Sequence, residues 1–292
     1  MNSHSNGLKF NPFVPLILVF LIVSYSDLAP ASDLKVHCKG QGSKVYLVGG
    51  GPAFTSWNLQ PIQDTLSRHY RVCRWDMRGV GDNAAVTLTR QRLALSQWLD
   101  DMHAVLPVEP VMLWGHSWGA LQVALFAKHH PRQVAGVILS NPVDPALLSL
   151  ENIEVKRFNH SDTGRRLALE EIGTPAEALH NLHSKIASYF ADARQGWAYA
   201  EQFSHSDTNN ELNVRIWDEY RKAPLTEKDI RALAPKIAGL IYCQDDVLQP
   251  ENLTEYQRLL PNNEHHVLKG CAHFPWEENS RDYYQVLLRY IK

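Results

Sequence analysis

Residues Gly115-His116-Ser117-Trp118-Gly119 follow the short apolar run 111–114 and precede the helix-forming stretch 120–128. A serine therefore sits where a strand gives way to a helix. Glycine on both sides is what a turn too tight for flanking side chains requires, and such a turn lifts the serine hydroxyl clear of the sheet edge. The feature dictates what else the chain must carry. A hydroxyl is a poor nucleophile until a histidine takes its proton, and that histidine needs a carboxylate to fix its tautomer. These partners are expected later in the chain, acid first and histidine last.

Both are present in that order. The apolar run 239–243 reads as a strand and ends in Gln244-Asp245-Asp246. Residues 265–269 read as the last strand, followed by Gly270-Cys271-Ala272-His273-Phe274. Ser117 is assigned as nucleophile, His273 as general base and then acid, and Asp246 as the orienting carboxylate. Asp245 is the alternative, because only one of two adjacent aspartates can point at the imidazole. Strand before, helix after, and an acid and a histidine each following a later strand are separate requirements of one template. The base must start neutral, so activity is expected to decline below about pH 6–7, where an ordinary imidazole protonates.

An earlier strand, 43–48, runs directly into Gly49-Gly50-Gly51-Pro52. Glycines there let backbone N–H groups approach a ligand closely, so Gly50 or Gly51 and the residue after the nucleophile, Trp118, are the expected oxyanion donors. No Gly-Lys-Ser/Thr follows and no Gly-x-Gly-x-x-Gly is present, which argues against a phosphate cradle. A second turn, residues 76–81, carries Asp76 and Arg78, read as holding a loop together. His116, inside the elbow, is expected to pack beneath the serine.

Together, Gly49 to Pro52, Asp76 to Gly81, the elbow with Trp118 after the serine, Asp246 four residues before Pro250, and Gly270 to His273 resemble the α/β-hydrolase superfamily. More narrowly, they resemble its proline iminopeptidase-like branch. The resemblance implies an α/β-hydrolase fold: a mostly parallel eight-stranded sheet flanked by helices, with an inserted helical cap. It implies core segments 32–143 and 236–292 and a cap at 144–235. Two departures bear on substrate. The branch carries His-Gly-Gly-Pro-Gly where this chain has Gly49-Gly50-Gly51-Pro52-Ala53. It carries Arg-Gly-x-Gly-x-Ser where this chain has Arg78-Gly79-Val80-Gly81-Asp82-Asn83.

No strand pattern appears in the intervening segment. Leu179, Leu182, Ile186 and Phe190 recur at helical spacing within residues 176–193, as do Val214, Trp217 and Tyr220 within 213–220. A helical cap of this kind shapes a pocket and excludes water. In the iminopeptidases, cap acids bind the free N-terminal amine of the substrate. The similar segment here puts Trp217 at the glutamate position, leaving Asp218 or Glu219 one step away as candidates. Trp57, Phe274 and Trp276 are candidates for lining the pocket.

At 292 residues and 45% hydrophobic content the chain can bury one large core, and the formal charge of −2 supplies no basic face for nucleic acid. Lys9, the apolar run 13–25 and Ala29-Pro30-Ala31 read as a secretory signal over residues 1–31, cleaved near Ala31. The run, roughly 13 residues, is short of the about 20 that a spanning helix needs. The protein is therefore expected to be exported, periplasmic or secreted, with an uncleaved N-terminal anchor as the alternative and as its one route to a membrane. In that setting Cys243 and Cys271, at the ends of neighbouring strands, would staple the acid and histidine loops, and Cys38 would pair with Cys73. Four cysteines allow three pairings. His180 and His183 lie three apart, and His129-His130 and His265-His266 are adjacent, but no third ligand stands at zinc spacing. Neither metal nor cofactor is called for.

These readings converge on a serine hydrolase working by acyl transfer on a small-molecule or short-peptide substrate. It is expected to be an aminopeptidase of the iminopeptidase type. A carboxylesterase on small or acyl esters is the alternative, and a noncatalytic ligand binder of the same fold is the third reading.

Overall fold

The computed structural model describes residue 1 and residues 33–86, 95–151, 153–160 and 174–291. The expected leader and its cleavage site lie outside the described residues. One sheet holds the strands β1 (Val36–Lys39), β2 (Lys44–Val48), β3 (Arg71–Trp75), β4 (Val111–His116), β5 (Val134–Ser140), β6 (Ile237–Cys243) and β7 (His265–Leu268). Their order is β1-β3-β2-β4-β5-β6-β7, with β1 antiparallel to β3 and the other pairs parallel. Seven strands, not eight, are found among the described residues. Between Asp33 and β2 the chain has room for a single four-residue strand and its return turn.

The strands are nearly continuous apolar runs because helices cover both faces of the sheet. Side chains alternate between the faces. Tyr46, Leu113, Leu139 and Leu240 belong to one packed layer, and Leu47, Trp114, Ile138 and Ile241 to the other. Leu113 and Ile138 are fully inaccessible, and each such burial stabilises the fold by roughly 1.5–3 kcal/mol.

In chain order the helices are α1 (Gln60–Leu66), α2 (Leu95–Val105), α3 (Trp118–His129), α4 (Ile153–His160), α5 (Pro175–Ala187), α6 (Ala193–Ala200), α7 (Asn210–Lys222), α8 (Glu227–Leu233), α9 (Glu251–Leu259), α10 (Pro275–Glu278) and α11 (Ser280–Tyr290). Helices α2, α3, α8 and α9 bury their apolar stripes in the first layer, and α1 and α11 in the second. Among the described residues no helix is long and apolar enough to cross a membrane.

Helices α4 to α7 lie between β5 and β6 and form the cap. The helical spacing that runs through residues 176–193 is broken at Ser188, and a new helix opens on an Asp192 side-chain cap to the Gln195 N–H at 2.7 Å. The two helices form a tight hairpin, since a Cβ on Gly196 would stand 2.6 Å from the Ala187 carbonyl oxygen. Phe190 therefore packs in the turn, stacked on Phe274 at 5.2 Å. The cap is tied to the loop after β2 by the Thr55 N–H to the Asp207 carbonyl at 2.8 Å and the Asn209 N–H to the Ala53 carbonyl at 3.0 Å.

Of the three cysteine pairings, the structure holds Cys38–Cys73 and Cys243–Cys271. The first links directly opposed residues of β1 and β3, with Cα atoms 4.1 Å apart. The second joins the end of β6 to the loop after β7, with Cα atoms 5.3 Å apart.

Candidate active site

Ser117 caps α3 with φ 55° and ψ −120°. For a residue with a Cβ this backbone conformation costs on the order of 1–3 kcal/mol, so its surroundings must impose it. They do so through backbone bonds: the Ser117 N–H donates to the Ser140 carbonyl at 3.1 Å, and its own carbonyl accepts from Ala120 at 3.1 Å and Val143 at 3.3 Å. The flanking glycines are sterically compelled. A Cβ on Gly119 would lie 2.2 Å from the Val48 carbonyl oxygen, and one on Gly115 would lie 2.4 Å from the Gly119 carbonyl oxygen.

His273 Nδ1 lies 3.1 and 3.0 Å from the two carboxylate oxygens of Asp246. Both side chains are buried, at 5% and 1% exposure, so the contact is shielded from competing water. It is Asp246, and not the half-exposed Asp245, that meets the imidazole. Two further donors hold the carboxylate: the Leu248 N–H at 3.1 Å and the Asn141 side-chain amide at 2.7 Å. Asn141 is fully buried, carries φ 42°, and also donates to the Ala272 carbonyl at 2.8 Å, while its N–H reaches the Ile241 carbonyl at 2.7 Å. One side chain thus ties the ends of β5 and β6 to the histidine loop. Glu278 fastens the same loop from below, accepting from the Ala272 N–H at 2.9 Å and the Phe274 N–H at 3.3 Å. Burial pushes its carboxyl above the ordinary glutamate range.

Two aromatic neighbours complete the histidine's setting. Tyr189, in the turn after α5, stacks on the imidazole at 4.6 Å and accepts the His273 N–H on its carbonyl oxygen at 3.0 Å. His116 is buried, at 1% exposure, among Trp114, Phe274 and Trp276. It borders the cavity, with its ring 4.6 Å from that of His273. Its Nδ1 faces the Ser140 carbonyl at 3.1 Å, so that nitrogen carries the proton, and Nε2 is buried with no partner among the described residues. Burial, reinforced by the neighbouring His273, holds the His116 imidazole well below the usual histidine range.

The glycine loop after β2 lies against the serine. A Cβ on Gly50 would stand 2.9 Å from Ser117 Cβ and 3.4 Å from its Oγ, so no larger residue fits there. Gly51 follows at φ 118°, a conformation open to glycine. Trp118 begins α3, where a backbone N–H has no partner one turn earlier. Its indole packs into the cap, edge-on to Trp217 at 4.8 Å. Asp76 and Arg78 are structural, as read, but not as a pair with each other. Asp76 accepts from the Ser56 N–H at 2.5 Å and the Asp82 N–H at 2.8 Å, joining two loops, while Arg78 forks onto Asp101 at 2.9 and 2.6 Å.

Ser117, His273, Gly50 and Gly51 open on one cavity of about 320 Å³ between core and cap. Phe274 lines it, whereas four other expected contributors do not. Trp57 is held away by an indole N–H bond to Asp207 at 2.7 Å and by stacking on Phe203 at 4.5 Å, which makes it part of the cap fastening. Asp218 and Glu219 lie off the cavity face of α7, paired with Arg221 at 3.2 Å and Lys222 at 2.5 Å. Asn213, Trp217 and Arg221 occupy the cavity face instead. Trp276 is buried behind His116, edge-on at 4.8 Å. Asn141, Tyr189 and Glu278 were not identifiable from the sequence. The nearest signal was the turn after 134–139, where an asparagine is at home in a left-handed conformation.

The neighbouring histidines have local partners. His183 Nε2 faces the Phe203 carbonyl at 2.8 Å, and His180 lies against the Trp197 ring at 5.4 Å. Among the described residues no three His, Cys, Asp or Glu side chains converge as metal ligands.

A family model described as alpha/beta hydrolase fold matches residues 45–280. The chain is 23% identical over 284 residues to a 2-hydroxy-6-oxo-2,4-heptadienoate hydrolase of Pseudomonas putida, covering 89% of this chain and 93% of that one. It is 25% identical over 262 residues to a proline iminopeptidase of Heyndrickxia coagulans, covering 85% and 90% respectively. The solved structure of a thermophilic esterase from Thermogutta terrifontis superposes with a TM-score of 0.63 at 18% identity, covering 88% of this chain and 92% of that one.

Proposed function

The chain belongs to the α/β-hydrolase fold family and is a hydrolase, and from that premise we propose that it cleaves small carboxylic esters by acyl transfer to Ser117. What supports this reading above all is the buried two-oxygen contact of Asp246 with His273 Nδ1, beside a serine held in a strained turn on the same cavity wall. With the proton on Nδ1 toward Asp246, Nε2 is the acceptor for the Ser117 hydroxyl proton. As Oγ attacks the carbonyl carbon, the backbone N–H of Trp118 and one from Gly50 or Gly51 would hold the developing oxyanion. The imidazolium then protonates the leaving group, and water reverses the sequence to release the acid.

The aminopeptidase reading draws support from the iminopeptidase relative. It needs a carboxylate to hold the substrate's ammonium group, and the described residues lining the cavity include none. That observation favours an ester over a peptide with a free N-terminus. Export is part of the proposal and is supported by the two disulfides, which persist in oxidising compartments. An N-terminus at Ser32 in protein recovered outside the cytoplasm checks it.

The test compares kcat/KM for short nitrophenyl esters with that for prolyl and other aminoacyl arylamides. Faster ester turnover, reduced by roughly 10³-fold or more in Ser117→Ala, is expected. Faster arylamide turnover would establish the peptidase instead.

A further inference from the structure

The cap reaches the catalytic histidine through the turn after α5. The Tyr189 carbonyl accepts the His273 N–H at 3.0 Å, Phe190 stacks on Phe274 at 5.2 Å, and the Ala191 N–H donates to one Glu278 oxygen at 2.8 Å. The other Glu278 oxygen takes the Ala272 and Phe274 N–H groups. One carboxylate thus brackets the cap turn and the histidine loop together.

Within that bracket Asp246 grips the imidazole at Nδ1 alone. A grip at one corner leaves the ring plane free to swing, and the far corner, Nε2, is the one that must meet the Ser117 hydroxyl. A swing that moves Nε2 by about 1 Å can cost roughly 10²-fold in rate. Tyr189 lies on the imidazole at 4.6 Å with 27° between the planes, a stack that fixes the plane. The neighbours His116, at 51°, and Phe274, at 80°, meet the imidazole obliquely or edge-on. The Tyr189 ring is itself held, with the Arg157 guanidinium of α4 5.0 Å from its centre and the Phe274 ring edge-on at 6.3 Å. A ring already engaged by one cation attracts a second less strongly, so its effect on the histidine is geometric more than a cation–π attraction for the imidazolium.

We propose that Tyr189 is a positioning residue that sets the plane of the His273 imidazole, which makes the α5–α6 half of the cap part of the histidine's mounting. The inference rests on the acyl-transfer reading of Ser117. It is tested with Tyr189→Leu, which removes the ring, and Tyr189→Phe, which keeps it. Tyr189→Leu should lower both kcat and the rate of fluorophosphonate capture by roughly 10–100-fold with KM within a few-fold, and Tyr189→Phe should restore most of the loss. Tyr189→Met, which fills the same space with a flexible chain, takes the place of the leucine variant if that does not fold. In a His273→Ala background the Tyr189→Leu change should slow capture no further, because its effect passes through the imidazole. Wild-type capture by folded Tyr189→Leu, equal losses in the leucine and phenylalanine variants, or an undiminished further loss in His273→Ala each overturn the proposal.

A second readout needs no turnover. The His273 Nδ1 proton, shielded by Asp246, should give a slowly exchanging low-field proton resonance that is absent in His273→Ala, broadens or vanishes in Tyr189→Leu and persists in Tyr189→Phe. If wild type takes up no fluorophosphonate, the acyl-transfer reading fails and this resonance decides the positioning role. Loss in Tyr189→Leu alone supports it, whereas absence from wild type or persistence in Tyr189→Leu overturns it.

Discussion

Removing the Asn141 side chain isolates the element that aims Asp246. Its amide supplies one charge-assisted hydrogen bond at 2.7 Å and one to the Ala272 carbonyl at 2.8 Å, both fully buried. The first is worth roughly 1.5–3 kcal/mol and the second about 1 kcal/mol. Alanine at φ 42° adds about 1 kcal/mol of left-handed strain, so Asn141→Ala should lose roughly 3–5 kcal/mol. At about 2–4 °C per kcal/mol for a chain of this size, the melting temperature should fall by roughly 6–20 °C. Asn141→Gly removes the same hydrogen bonds without the strain and should recover about 1 kcal/mol of that loss. Both variants leave His273 less firmly directed, so kcat should fall by roughly 10–100-fold with KM nearly constant, the pattern of a contact that matters in the transition state. Melting curves and steady-state kinetics on the glycine variant decide the matter. A folded Asn141→Gly protein with wild-type kcat would refute the idea that this amide positions the carboxylate.

Three other outcomes follow from the same geometry. Asp246→Asn should reduce kcat by about four orders of magnitude by disturbing the histidine tautomer, while Asp245→Asn stays within a few-fold of wild type; equal effects would remove the assignment. Replacing Cys243 and Cys271 by serine opens a closed loop with a sequence separation of 28 and should cost about 3.5 kcal/mol in a denaturant titration, with kcat lowered because Asp245 N–H bonds the Cys271 carbonyl. Because folding depresses the His116 imidazole, its contribution to stability is complete above about pH 6.5 and is lost below it, as the unfolded chain takes up a proton that the folded chain refuses. Between pH 7 and pH 5, wild type should lose more stability than His116→Asn in urea unfolding, and matching losses would contradict the origin given for the shift.

The parts of the site that could be read from the sequence are those fixed by local sterics. Gly115 and Gly119 announce the elbow because a Cβ on Gly119 would meet the Val48 carbonyl oxygen and one on Gly115 the Gly119 carbonyl oxygen. Asp246 and His273 announce themselves because each follows an apolar strand, and strand ends gather at one edge of a parallel sheet. Asp246 could not be separated from Asp245 until the backbone after β6 set which carboxylate turns inward. Asn141 left no signal beyond a turn, since its role depends on residues 105 and 131 positions away. The cap was least legible. Helical spacing located α7, but rotation of that helix decides whether Trp217 and Arg221 or Asp218 and Glu219 see the cavity, and tertiary packing sets that rotation. Trp57 illustrates the same limit: an aromatic beside the active-site loop became a fastening for the cap through Asp207, distant in sequence.

Covalent capture of the nucleophile tests the central claim most directly. Treatment with a fluorophosphonate followed by peptide mass analysis should place a single phosphonyl adduct on Ser117. It should vanish in Ser117→Ala and form far more slowly in His273→Ala. An adduct on another residue, or a folded wild-type protein that takes up none, would contradict the acyl-transfer account.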